Sequence, residues 1–237
     1  MDECQQNWRR MLHMRVKTSF VTSREQSQSP IFLINMPKEM YLMKLHYMGK
    51  FDLNPDSLPT TEHRQNSVKF KEPENTEKLG LIANAIAAIV LILCCIPFVM
   101  QHGLSETVRS VCIGSLISMF FLFPHEFIHA ICFKKDVYLY TNLKQGMLFV
   151  VGPEDMSKAR FIFMSLLPSI ILGLIPYIIY FFNPDLLWLG AFGAACLASG
   201  GGDYINVFNA LTQMPRGSRT YLYKFNSYWY MPEKENK

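Results

Sequence analysis

The residues best able to do chemistry lie in Pro124-His125-Glu126-Phe127-Ile128-His129-Ala130. On a helix, residues four apart share a face, so His125 and His129 would present two imidazoles to one point with Glu126 beside them. This is the H-E-x-x-H spacing, at which a helix offers two nitrogen ligands to zinc and a carboxylate to a water molecule. With six His in 237 residues, chance puts the pattern in roughly one per cent of such chains. The setting sharpens it, because the motif closes an apolar run that begins near Val108. Two His and a Glu in hydrocarbon cost several kcal/mol unless they are paired. The plainer alternative is a group of interfacial side chains reaching for headgroups.

The elements that must position these residues follow from composition. Half the chain is hydrophobic, 14% is aromatic and the mean hydropathy is +0.11, which points to several membrane spans. The net charge of +4 is modest, and without a basic stripe interleaved with aromatics no nucleic-acid partner is expected. Cys94, Cys95, Cys112, Cys132 and Cys196 fall in apolar runs and Cys4 in a polar leader; none forms a C-x-x-C pair, so they read as small buried hydrophobes.

Residues 1–42 lack a signal-peptide core and read as a non-native or disordered leader, with Met43 as the expected start of translation. Residues 43–78 read as a polar cytosolic leader with a short strand at 67–70. Four apolar runs follow, at 79–100, 108–133, 159–182 and 186–211, and together they form the expected membrane core. Between the second and third, residues 137–140 and 147–151 flank Asn142 to Gly146 and predict a β-hairpin. Residues 212–237 form a basic, aromatic cytosolic tail. The expected fold is therefore an all-α polytopic membrane protein of about four transmembrane helices with one short hairpin.

Lys and Arg concentrate in the leader, the 134–160 connection and the tail, whereas the other two loops together hold only Arg109. Both termini are then cytosolic, and the second and fourth spans run in the same direction. His125 and Asp203 each fall about 17 residues into their spans, which is some 25 Å at about 1.5 Å per residue. A shared depth makes Asp203 the candidate third ligand, since catalytic zinc takes three protein ligands and leaves a position for water. Glycines and alanines on adjoining faces, from Gly190 to Gly202 and from Ala191 to Ser199, would let this helix approach its neighbours closely. Glu154 and Asp155 are rival ligands in the connection, and His102 lies towards the opposite face.

His125-Glu126-Phe127-Ile128-His129-Ala130, Ser199-Gly200-Gly201-Gly202-Asp203 and Ser165-Leu166-Leu167-Pro168 together resemble the putative zincin peptidases, a family of small bacterial membrane proteins. The plan is also similar to that of site-2 proteases, although Asp203 is followed by Tyr204 rather than standing in a Leu-Asp-Gly context. The resemblance implies metal ligands His125, His129 and Asp203, a catalytic Glu126, Zn2+ as cofactor, and a membrane protein or peptide as substrate. Iron or manganese would also suit two His and one carboxylate. Asn206, one helical turn beyond Asp203, is a candidate helper for the carbonyl oxygen. Val150 and Val151, on the second strand of the hairpin, are candidates for holding an extended substrate. The alternative reading is a non-enzymatic membrane scaffold with a structural metal. A transporter would want ionisable residues along a path rather than in one cluster.

Overall fold

The longest element forms where the sequence is most apolar. In the computed structural model, which describes residues 43–59, 61–73, 76–142 and 147–233, a helix α1 covers Thr76–Phe120. All of these residues belong to the unit Lys38–Lys237; the leader 1–42 and the hairpin turn 143–146 lie outside the described residues. A straight helix of 45 residues would measure about 68 Å, roughly twice a bilayer core. It is broken instead at Gly103, whose φ of 79° and ψ of 167° lie outside the helical region and suit glycine.

The rest of the chain is ordered as follows. β1 is Leu45–Lys50 and β2 is Val68–Lys69; after α1 come α2 (Leu122–Ala130), β3 (Val137–Asn142), β4 (Met147–Val151) and β5 (Met156–Ser157). α3 (Lys158–Pro168) continues through a π-helical turn at Ser169–Leu174 into α4 (Ile175–Phe182). α5 (Leu187–Ser199), α6 (Gly201–Gln213), β6 (Arg219–Tyr223) and β7 (Asn226–Tyr230) complete it.

Helix α5 is the packing centre. Its Ala191 and Ala194 are fully buried with Phe98 of α1 and Tyr180 of α4. A Cβ on Gly114 would lie 2.6 Å from the Ala191 backbone, so the second half of α1 meets α5 nearly backbone to backbone. The two halves of α1 run in opposite directions along this partner. Ala83 lies by Gly201 and Phe98 by Gly190, whereas beyond Gly103 the chain passes Ala191 at Gly114 and reaches Asp203 at His125.

The structure overturns the all-α expectation. The fold is mixed α/β, with a three-stranded sheet in the order β1-β3-β4 and a four-stranded sheet in the order β2-β7-β6-β5. Among the described residues, two helical segments are long and apolar enough to cross a membrane, Glu77–Phe120 and Lys158–Phe182. The expected fourth span divides at Gly200 into α5 and α6, each of 13 residues, short of the about 20 a crossing needs. The expected hairpin is present as β3 and β4, but β1 pairs with β3 in parallel, from Leu45 beside Val137 to Lys50 beside Thr141. The tail forms a strand pair, β6 and β7 running antiparallel from Arg219–Tyr230 to Tyr223–Asn226. β2 falls within the expected strand at 67–70 and joins β7, while Phe70 packs with Ala210 and Met214 beneath it.

Candidate metal centre

Helix α2 exists as a separate element because α1 ends at Phe120 and the helix restarts at Leu122. Pro124 sits in the new first turn, where its missing N–H has no intrahelical partner to lose. The helix buries one face, holding His125 at 9% and His129 at 7% exposure. Two features beyond its C-terminus fix its position. The Cys132 carbonyl accepts a hydrogen bond from Arg160 Nε at 3.0 Å, and Glu154 Oε2 accepts from the Lys134 and Lys135 backbone N–H groups at 2.7 and 3.0 Å. Arg160 and Glu154 are themselves ion-paired, so α2 is clamped to α3 through a largely buried charge pair.

His125, Glu126 and His129 form an H-E-x-x-H cluster of the zincin metallopeptidase type, with ligand atoms all within 4.8 Å of one another. His125 Nε2 lies 3.2 Å from His129 Nε2. Asp203, in the first turn of α6, brings Oδ2 to 3.2 Å from His125 Nε2 and Oδ1 to 3.3 Å from His129 Nε2. These separations can be set against two arrangements. Charge-assisted hydrogen bonds are shorter, about 2.7–2.9 Å. Tetrahedral ligands on bonds of about 2.0–2.1 Å stand about 3.3–3.4 Å apart, close to the spacing found here. His129 Nδ1 is 3.0 Å from the Met164 carbonyl, which can only accept. The proton therefore sits on Nδ1, and the Nε2 lone pair faces the cluster, as a metal ligand requires. The donor set fits Zn2+.

Asp203 reaches this point because α6 starts anew at Gly201. A Cβ on Gly201 would come under 3.0 Å from the Ala83 carbonyl oxygen, closer than real Cβ atoms pack. Only glycine lets α6 lie this close to α1 two residues before the aspartate. Gly202, by contrast, has nothing within 4 Å of a Cβ position.

Glu126 is oriented by a strand rather than a helix. Its Oε2 accepts from the Val150 backbone N–H at 3.0 Å. The cluster opens into a cleft of about 330 Å³ lined also by Asn206 and Val150. Val151, one residue on, packs on the other side with the Phe51, Leu58 and Tyr140 core. Of the rival acids, Glu154 belongs to the clamp, and Asp155 accepts from Arg219 Nε at 2.8 Å and from the Tyr230 hydroxyl. His102 bonds the Tyr180 hydroxyl at 3.0 Å, far along α1 from the cluster. Sequence reading missed Arg160, Met164 and Glu72, all close to the site. An arginine in the first turn of an apolar helix could have flagged the first; a backbone carbonyl leaves no mark in sequence.

Residues 116–219 match the model of a family described as "Putative zincin peptidase". The match begins in the last turn of α1, ends at the first residue of β6, and contains the motif, the clamp and Asp203. This stretch is therefore similar to that family across the whole of the candidate metal centre. No curated protein and no solved structure matches the chain.

Proposed function

We propose that the protein is a zinc metalloprotease of the bacterial cell membrane, cleaving peptide bonds of membrane-associated substrates on a plan similar to that of site-2 proteases. The reading is carried by three donors from two distant segments, His125, His129 and Asp203, spaced as ligands of one tetrahedral ion. The two long apolar helices support membrane association, and the distribution of Lys and Arg favours a multi-pass chain with both termini in the cytosol.

His125, His129 and Asp203 would hold the metal. Zinc bound there supplies Lewis acidity, which polarises a peptide carbonyl and brings the pKa of a water towards neutrality. Glu126 takes the proton from the attacking water and delivers it to the leaving amine. Its bond to Val150 keeps the carboxylate at the cleft wall before substrate arrives. Asn206 offers an amide donor from the facing helix, one turn beyond Asp203.

A substrate helix hides its peptide groups and must unwind before hydrolysis. β4 is the edge of its sheet, and the Val150 N–H that meets Glu126 points away from β3. An extended substrate adding to this edge would lie along the cleft.

The test uses the full chain purified in detergent micelles. Glu126→Gln should retain about one zinc by elemental analysis and lose about 10²–10⁴-fold in peptide turnover, whereas His125→Ala should lose the zinc. Wild-type protein without stoichiometric zinc refutes the metal centre. Undiminished turnover in Glu126→Gln refutes the enzyme and leaves the scaffold with a structural metal.

A further inference from the structure

A second cavity, of about 180 Å³, adjoins the cleft and shares Glu72 and Leu79 with it as walls. Its other apolar walls are Phe51, Leu53 and Pro55 after β1, Pro73, Met147 at the start of β4, and Phe225 between β6 and β7, while Glu72 and Asn226 add polar points to the lining. The two sides are fastened together. The Phe51 and Phe225 rings stack with centroids 6.0 Å apart, and Lys224 Nζ pairs with Asp56 Oδ1 at 2.8 Å.

Leu53 is the unusual residue. Its φ of 66° lies in the left-handed region that L side chains rarely adopt, and it remains 50% exposed. Asp52 imposes the conformation, its Oδ1 accepting from Asn54 N and Ser57 Oγ at 2.9 Å each. A large apolar side chain has thus been fixed in a strained turn at the rim of a cavity instead of being buried. Strain of this kind gathers at ligand-binding places.

The register connects this cavity to the chemistry. Val150 directs its N–H outward to Glu126, and strand alternation puts the N–H and C=O of Leu148 on the same open edge. Met147 lies three residues from Val150, about 10 Å along the strand. We infer that this cavity is a specificity pocket for one large apolar side chain, such as Phe, Leu or Met, carried by an extended peptide about three residues from the bond cleaved. The inference rests on the protease reading above and names part of its substrate. Size selects the occupant: an apolar cavity of about 150 Å³ holds a benzene ring, so this one takes a single side chain and is short for a lipid acyl chain.

Binding can be read without turnover. Full-length Glu126→Gln in micelles is titrated, by fluorescence polarisation, into labelled ten-residue peptides in which a single Phe is moved through an otherwise Ala-Ser background. One Phe position should bind at least about tenfold tighter than the all-Ala-Ser peptide. That preference should fall to near one in Leu53→Asn, which tolerates the left-handed backbone, and in Met147→Trp, which fills the space. Wild-type protein should cut the preferred peptide about three residues from the Phe. Equal binding at every Phe position overturns the pocket, as does a preference that survives both variants or one that decanoate displaces at micromolar concentration. A positional preference without any wild-type cleavage upholds the pocket and sinks the protease reading.

Discussion

Gly200, Gly201 and Gly202 look interchangeable in sequence, yet the structure predicts that alanine acts oppositely at the last two. At Gly201 a Cβ would sit under 3.0 Å from the Ala83 carbonyl oxygen, a backbone atom that cannot rotate away. Ordinary contact begins at 3.4 Å, so α6 and α1 must separate by something approaching 1 Å. Overpacking of this kind costs about 1–3 kcal/mol, partly offset by up to about 1 kcal/mol from replacing a helical glycine. The greater consequence is geometric, because Asp203 lies two residues on and metal sites tolerate ligand displacements of only about 0.2 Å. Gly201→Ala should therefore weaken zinc retention about 10–100-fold and lower the melting temperature. Gly202→Ala meets nothing within 4 Å and should retain zinc and melt no lower than wild type. Both are measured on full-length protein in micelles, by elemental analysis after dialysis against graded chelator and by thermal unfolding. Wild-type zinc affinity in Gly201→Ala, or equal loss in Gly202→Ala, would refute the claim that this helix contact aims the carboxylate.

Arg160→Met leaves the buried Glu154 carboxylate with only backbone donors and frees the Cys132 carbonyl, costing about 2–3 kcal/mol after allowance for the partial exposure of the arginine. The double variant with Glu154→Met should recover part of that loss in thermal unfolding; a single variant that melts like wild type contradicts the clamp. Asp155 supplies a pH dependence. Burial raises its pKa, but hydrogen bonds from Tyr230 and Arg219 and the Arg219 charge outweigh this and leave the carboxyl below its ordinary value. Its stabilisation is thus complete above the ordinary carboxylate range and is lost as pH falls through the depressed folded value. Asp155→Asn should flatten the acid limb of the stability–pH curve, and an unchanged limb would show that the carboxylate contributes nothing there.

The site was more legible than the fold, for a physical reason. Residues four apart on a helix must share a face, so His125 and His129 could be paired from spacing alone. Asp203 was reachable because a charge in an apolar run needs a partner. The apolar runs were equally visible, but hydropathy reports composition and not continuity: it passed over the division at Gly200. The sheets were hidden differently. β1 reads Leu-His-Tyr-Met-Gly-Lys, without clean alternation, and it finds its partner some ninety residues away with a register shift between Tyr47 and Gly49. Nothing local specifies such pairing. Hairpins such as β3–β4 and β6–β7 bring their partners along in sequence, although only the first carried clear turn residues between alternating strands.

The expected hairpin, which β1 widens into a three-stranded sheet, is also the part that makes a site among apolar helices workable. A catalytic carboxylate there needs a donor, and helical backbone has none to spare beyond its first turn, because its other N–H groups are used within the helix. An edge strand has a free N–H at every second residue. Val150 spends one on Glu126, and the same edge continues past Leu148 towards Met147 and the second cavity. In the proposed reaction, the backbone groups that a substrate exposes on unwinding, each costing about 1–3 kcal/mol if buried unpaired, are the groups this edge can satisfy. A strand beside H-E-x-x-H thus meets two needs at once, holding the base and receiving the unwound peptide. Val150→Pro separates them from mere packing: the substitution removes one outward N–H, which an edge strand tolerates. It should lower turnover while leaving zinc content near wild type, and full activity in this variant would show that the strand does neither job.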